Sequence, residues 1–134
     1  MITLEIRRPE ELERAFQRAV KKRAQAVLMI QSPMLEGNAA SQIAGLAAKR
    51  RWPSAGFFPF HPEVGFLLSY GPDVDDLIRR SCIYVDRILK GEKPGDLPVQ
   101  RPAKFDLVLN LKTAKALGIK FPQTFLLQAD NVIK

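Results

Sequence analysis

Between Gly65 and Ile119 the chain spells out a strand, a capped helix, a stiff connection, a second strand and a second capped helix. Phe66 to Tyr70 is a short apolar run that stops at Gly71-Pro72. Asp73 is a good helix N-cap, and Asp75 and Asp76 follow in the first turn, where carboxylates suit the positive end of the dipole. Val74, Leu77, Ile78, Cys82, Val85, Ile88 and Leu89 then share one helical face, and Gly91 supplies the stop. Pro94, Gly95, Pro98 and Pro102 make the next stretch a stiff link. Phe105 to Leu109 reads as a strand, and Asn110 caps a helix that ends at Gly118. Phe121-Pro122 opens a last short helix, and Val132-Ile133 form a terminal strand. Such an alternation leaves little room for an all-helical or all-β fold.

The first half repeats the alternation. Ile2, Leu4 and Ile6 alternate with polar residues, the period of a half-buried strand. Pro9 opens a helix whose apolar stripe is Leu12, Ala15, Phe16, Ala19 and Val20, closed by Lys21-Lys22-Arg23. Ala24 to Ile30 is an almost unbroken apolar run of strand length, as expected of a parallel strand covered on both faces. Gln31-Ser32-Pro33 ends it, and a helix from about Asn38 carries Ile43, Ala44, Leu46, Ala47 and Ala48. Ala55 to Phe58 gives a further strand, with Trp52-Pro53 packing at the corner before it. The expected fold class is α/β: a small, mainly parallel sheet from 2–6, 25–30, 55–58 and 105–109, with covering helices.

The 134 residues make one ordinary domain, and 46% hydrophobic content is enough to build a core. The net charge of +7 does not by itself mark a nucleic-acid binder. Lys21-Lys22-Arg23 and Lys49-Arg50-Arg51 fall at helix ends, where cations are favoured, and no aromatics alternate with them as a stacking platform would require. Cys82 is the single cysteine, so no internal disulfide forms, and its apolar helical neighbours suggest a buried structural thiol. With His61 as the only histidine, a transition-metal site is not expected, and no cofactor is called for. No Gly-rich phosphate loop or nucleophile–base set stands out, and Asp75 and Asp76 read as first-turn helix charges. No enzyme activity is expected.

No run approaches the roughly 20 apolar residues of a membrane span. The first residues, Met-Ile-Thr-Leu-Glu-Ile-Arg-Arg, lack the order of a signal peptide, which as written implies a cytoplasmic chain.

Ser69-Tyr70-Gly71-Pro72, Tyr84-Val85-Asp86, Ile88-Leu89-Lys90-Gly91 and the run from Asn110 to Gly118 closely resemble the C-terminal part of substrate-binding proteins of ABC importers. The resemblance implies a type I periplasmic-binding fold of two lobes, a small solute clamped between them, an ABC permease as partner and a periplasmic or extracytoplasmic location. Residues 2–60 resemble most of the C-terminal lobe. Residues 66–97 resemble the segment returning to the other lobe, and 105–134 the third crossing with the C-terminal helices. The whole reads as a single truncated domain, 1–134, a partial version of that fold. In a sheet of order 2-1-3, the absent first strand would lie between the two strands this chain retains. Backbone groups are then left unpaired or forced into a new pairing. The helix after Asp73 also loses the sheet that would cover it. The expectation is a homodimer, with exchange of 66–97 between chains as one arrangement.

The resemblance also places the ligand-binding wall: Ser32, Met34, Phe58, Phe60, Glu63, Ser69 and Tyr70. Ser32 stands in a turn where relatives often carry an acid between prolines. Glu63 and Gly65 match, while Pro59-Phe60-His61-Pro62 replace a charged stretch. For Ser69 and Tyr70, ligand contact and a purely structural role at a strand end stand about even. The functional expectation is non-covalent capture of a small organic solute, such as an amino acid. The alternative is a stand-alone cytoplasmic α/β domain that self-associates or senses a small molecule.

Overall fold

The computed structural model describes residues 1–134. After a short turn opened by Pro9, helix α1 runs Leu12–Lys21, followed by strand β1, Val27–Leu28. Helix α2 spans Asn38–Lys49, strand β2 Ser54–Gly56 and strand β3 Leu68–Pro72. Helix α3 is Val74–Leu89 and strand β4 Phe105–Asn110; α4 (Leu111–Leu117), α5 (Gln123–Leu126) and β5 (Asn131–Ile133) complete the chain. The strands form one sheet in the order β1-β2-β3-β4-β5. All neighbours are parallel except β3 and β4, which pair antiparallel with Ser69 opposite Val108. The α/β class and mainly parallel sheet are as expected.

Three local expectations are corrected. Residues 2–6 carry the alternation of a strand but pair with none of the five strands, a hollow separating them from the edge strand β1. The strand expected over 25–30 is reduced to Val27–Leu28 for the related reason that only β2 lies beside it. β3 does not stop at Gly71-Pro72: the ladder continues with Gly71 opposite Asp106 and Pro72 opposite Phe105, since β4 supplies a long antiparallel partner. Gly71 is required there, because a Cβ would strike the Phe57 carbonyl oxygen.

α1 and α2 close one face of the sheet. Leu12 and Phe16 from α1, Ala40, Ile43 and Ala47 from α2, with Met29 and Phe66, form the main core. Burying each large side chain contributes about 1.5–3 kcal/mol. Trp52 stacks on Phe16 at 6.0 Å, the corner packing expected of it. The opposite face is closed only in part. Leu109 on β4 is fully buried, whereas Leu28, its counterpart at the β1 end of the same row, is 68% exposed.

The two helix caps read from the sequence are made. Asp73 Oδ1 accepts the Asp76 N–H at 3.0 Å, and Asn110 Oδ1 accepts the Thr113 N–H at 2.9 Å. Gly118 ends α4 in the left-handed conformation, φ 75°. α3 has no buried residue, so its apolar face lies uncovered. Cys82 is accordingly exposed and not the buried thiol its neighbours suggested: nothing packs over that face of α3.

Candidate ligand-binding wall

In a parallel sheet the loops that leave the carboxyl ends of the strands are the natural ligand site. Here those loops are residues 29–37 after β1 and 57–67 after β2. Ser32 and Met34 sit half-buried in the first, at the start of a single turn opened by Pro33. Phe58 is half-buried and Phe60 exposed in the second, their rings stacked at 5.4 Å, and Glu63 is exposed at its far side. Phe57 meets Phe58 edge-on at 5.1 Å. The result is an aromatic ridge able to stack a planar or apolar group, with a carboxylate nearby.

His61 holds the two loops together. It is fully buried, and its Nδ1 accepts the Phe57 and Phe58 N–H groups, each at 3.0 Å. That leaves the proton on Nε2, which donates to Glu36 Oε2 at 2.9 Å. The ring rests on the bare backbone of Gly56, where a Cβ would collide with the imidazole. On the far side of the second loop, Asn110 Nδ2 donates to the Pro62 carbonyl at 2.6 Å, and the Thr113 hydroxyl donates to the Gly65 carbonyl at 3.1 Å. The backbone behind Phe58 and Phe60 is thus tied to both β1 and β4 sides of the sheet.

Ser69 and Tyr70 are placed differently. As successive strand residues they face opposite sides of the sheet. Ser69 is 1% exposed, and its hydroxyl has no protein partner. Tyr70 is exposed and stacks on Phe105 of β4 at 5.5 Å. Ser32, Met34, Phe58 and Phe60 therefore share neighbouring loops, while Ser69 lies in the sheet and Tyr70 on its other face. His61 and Glu36 were not among the residues expected at the wall. The only sequence signal for them was one histidine set in an aromatic loop.

One charged cluster sits beyond β3. Lys104 Nζ lies 2.7 Å from Asp73 Oδ2. The Lys104 hydrogen bond, followed by the Asp76 backbone amide, holds the Asp73 carboxyl below the usual carboxylate range. Lys104 is raised in turn, first by its bond to Asp73 and then by the charge of Asp106.

The family described as ABC transporter substrate binding protein matches residues 1–133, and the chain belongs to it. Among solved structures, a conserved domain protein from Vibrio cholerae O1 biovar El Tor is similar at 26% identity and TM-score 0.83, covering 93% of this chain and 42% of that one. An ABC domain from Streptococcus pneumoniae, solved in complex with L-Trp, is similar at 24% identity and TM-score 0.88, covering 98% and 44%. The ligand-free, open structure of a substrate binding protein with adhesive properties from Clostridium difficile gives 20% identity and TM-score 0.69, covering 99% and 44%. No curated protein matches the sequence. The chain therefore spans less than half the length of the structures it resembles, which agrees with a partial version of the two-lobed fold. No helix is long and apolar enough to cross a membrane.

Proposed function

We propose that this chain contributes one lobe and part of the hinge of a solute-binding protein that serves an ABC importer on the outer side of the membrane. The observation that carries this is the family match across residues 1–133, on a sheet whose strand ends present an aromatic wall. Capture is non-covalent and needs no catalysis. Phe58 and Phe60 stack the apolar part of a small organic solute, such as an amino acid. Ser32 and Met34 close the side next to β1, and Glu63 pairs with a cationic group at the rim. Ser69 and Tyr70 face opposite sides of β3, so in this proposal the contacts come from the two loops, Ser32, Met34, Phe58, Phe60 and Glu63. The L-Trp bound by the Streptococcus pneumoniae domain, a chain of the same fold, supports the choice of an amino acid. A thermal-shift screen of amino acids against this chain, and against a version joined to an amino-terminal lobe, tests the proposal. Stabilisation should be small for the chain alone and severalfold larger for the two-lobed version. No response from either would remove the transport reading.

The exposed face of α3 favours a second component. Ile78, Val85 and Leu89 are each more than half exposed along one face of α3, so we propose that isolated chains pair through that face as a homodimer. Exchange of residues 66–97 between the copies is one way to make that pairing. A self-associating α/β domain with no transport role is the competing reading, and the same screen separates the two.

A further inference from the structure

Nine of the 21 basic residues fall in residues 18–27, 45–55 and 114–122, which hold none of the 14 acidic ones, so the rest of the chain is net acidic. The fold brings these three segments together. α1 and α2 end just before β1 and β2, and the first residues of those strands, Val27 and Ser54, are register partners. Both helix ends therefore stand side by side at the amino ends of the strands, opposite the end from which the loops of the candidate wall leave. Arg51 Nη2 lies 4.0 Å from where a Cβ on Gly118 would stand, so the close of α4, flanked by Lys115 and Lys120, joins the same pole. α1 and α2 also close alike: the Ala24 N–H donates to the Ala19 carbonyl and the Trp52 N–H to the Ala47 carbonyl, each at 3.0 Å. The residue that turns left-handed is Arg23 after α1 (φ 58°) and Arg51 after α2 (φ 55°), the only non-glycine residues of the chain with positive φ. Glycine is the favoured occupant of such a turn, so both positions carry a charge against the preference of the backbone. Lys21, Lys22, Arg23, Lys49 and Arg51 are exposed, and none forms an ion pair. Arg50 is used internally, its guanidinium 5.5 Å over the Phe16 ring and bonded to the Leu46 carbonyl.

We propose that this pole is a docking surface for the anionic headgroups of a lipid membrane. Free cations from three helix ends, with no acid among them, are met together by a plane of phosphates. α1 and α2 reach the pole end on, so neither lies along it to enter the groove of a nucleic-acid duplex. Trp52 is half-buried and stacked on Phe16, which leaves no aromatic at the pole for single-stranded bases. A second copy is a poor partner, because its carboxylates are engaged: Asp73 by Lys104, Asp76 by Arg80, Asp86 by Lys90 and Glu92 by Arg87. Each basic residue close to an anionic leaflet strengthens attachment by about fivefold. Docking by this end turns the loops of the candidate wall away from the lipid, so the proposal stands whether or not a solute binds.

The test is flotation of the full chain with vesicles of phosphatidylglycerol and, separately, of phosphatidylcholine. At low ionic strength binding to phosphatidylglycerol should be tighter by about tenfold or more, and about 1 M salt, which screens charges beyond roughly 3 Å, should release the chain. Lys21→Gln, Lys22→Gln and Lys49→Gln together should weaken binding about a hundredfold, and arginine at the same three positions should preserve it. Arg79→Gln, Lys93→Gln and Arg101→Gln remove the same charge from α3 and the link after it, and should change binding by less than about threefold. Should the glutamine variant at the pole lose the parent's circular dichroism, the lipid and salt dependence of the unaltered chain decides. An equal loss in the two triple variants would reduce the effect to net charge and overturn the proposal. So would absence of flotation with phosphatidylglycerol, or a DNA duplex that binds more tightly than those vesicles.

Discussion

The His61 imidazole and the Glu36 carboxylate meet at 2.9 Å, joining the loop after β1 to the loop after β2. Because the other ring nitrogen accepts two backbone amides, the imidazole saturates a loop that would otherwise bury unpaired donors. His61→Ala should destabilise the chain by about 2–4 kcal/mol, through lost hydrogen bonds and a cavity beneath Phe58. Urea unfolding checks this, and a loss under about 0.5 kcal/mol would show that the imidazole does not organise the loops. Gly56→Ala should be comparably damaging, since the added methyl takes space that the ring occupies.

Asn110 does two jobs with one amide: its oxygen caps α4, and its nitrogen reaches Pro62. Asn110→Ala should therefore cost about 2 kcal/mol or more, above the roughly 1 kcal/mol of a cap alone. Asn110→Asp keeps the capping acceptor but faces the Pro62 carbonyl with a carboxylate, so it should not restore stability. Equal stability of Asn110→Asp and the parent in thermal unfolding would contradict this.

Much of the fold was legible because its signals are local. Asp73, Asn110 and Gly118 announce their helix ends within a few residues, and the structure makes each of those bonds or turns. What was not legible depends on neighbours in space. Ile2, Leu4 and Ile6 have a strand's pattern, yet a strand exists only where another edge meets it. Cys82 has buried-looking neighbours, but the face of α3 that carries it is open to solvent. The proposed wall was placed by resemblance alone, while His61 and Glu36, distant in sequence, become partners only once β1 and β2 lie side by side.

Asp73 should make stability sensitive to acid. Its pKa is held down in the folded chain by Lys104, so its contribution is present above the ordinary carboxylate range, near pH 4, and is lost as the pH falls below it. Asp73→Asn should flatten the decline of melting temperature between about pH 4 and pH 2, while lowering stability at neutral pH. An unchanged acid limb in the variant would mean that other carboxylates govern it.

Leu77 and Val85 lie on α3, partly and more than half exposed respectively. Replacing both with Asp should abolish the proposed dimer, because pairing would then bury unpaired charges. Sedimentation should report a monomer that still shows the parent's circular dichroism. An unchanged mass would place any self-association elsewhere.

The central claim, that the loops after β1 and β2 form half of a solute clamp, is tested most directly by amide-shift titration with L-tryptophan and a panel of other amino acids. Half a clamp cannot exclude water from its ligand, so the predicted Kd is about 1 mM or weaker, near −4 kcal/mol. Shifts should be confined to residues 29–37 and 57–67, and Phe58→Ala should abolish them. Micromolar binding by this chain alone would contradict the half-clamp, and saturation of the panel without movement of either loop would contradict the site.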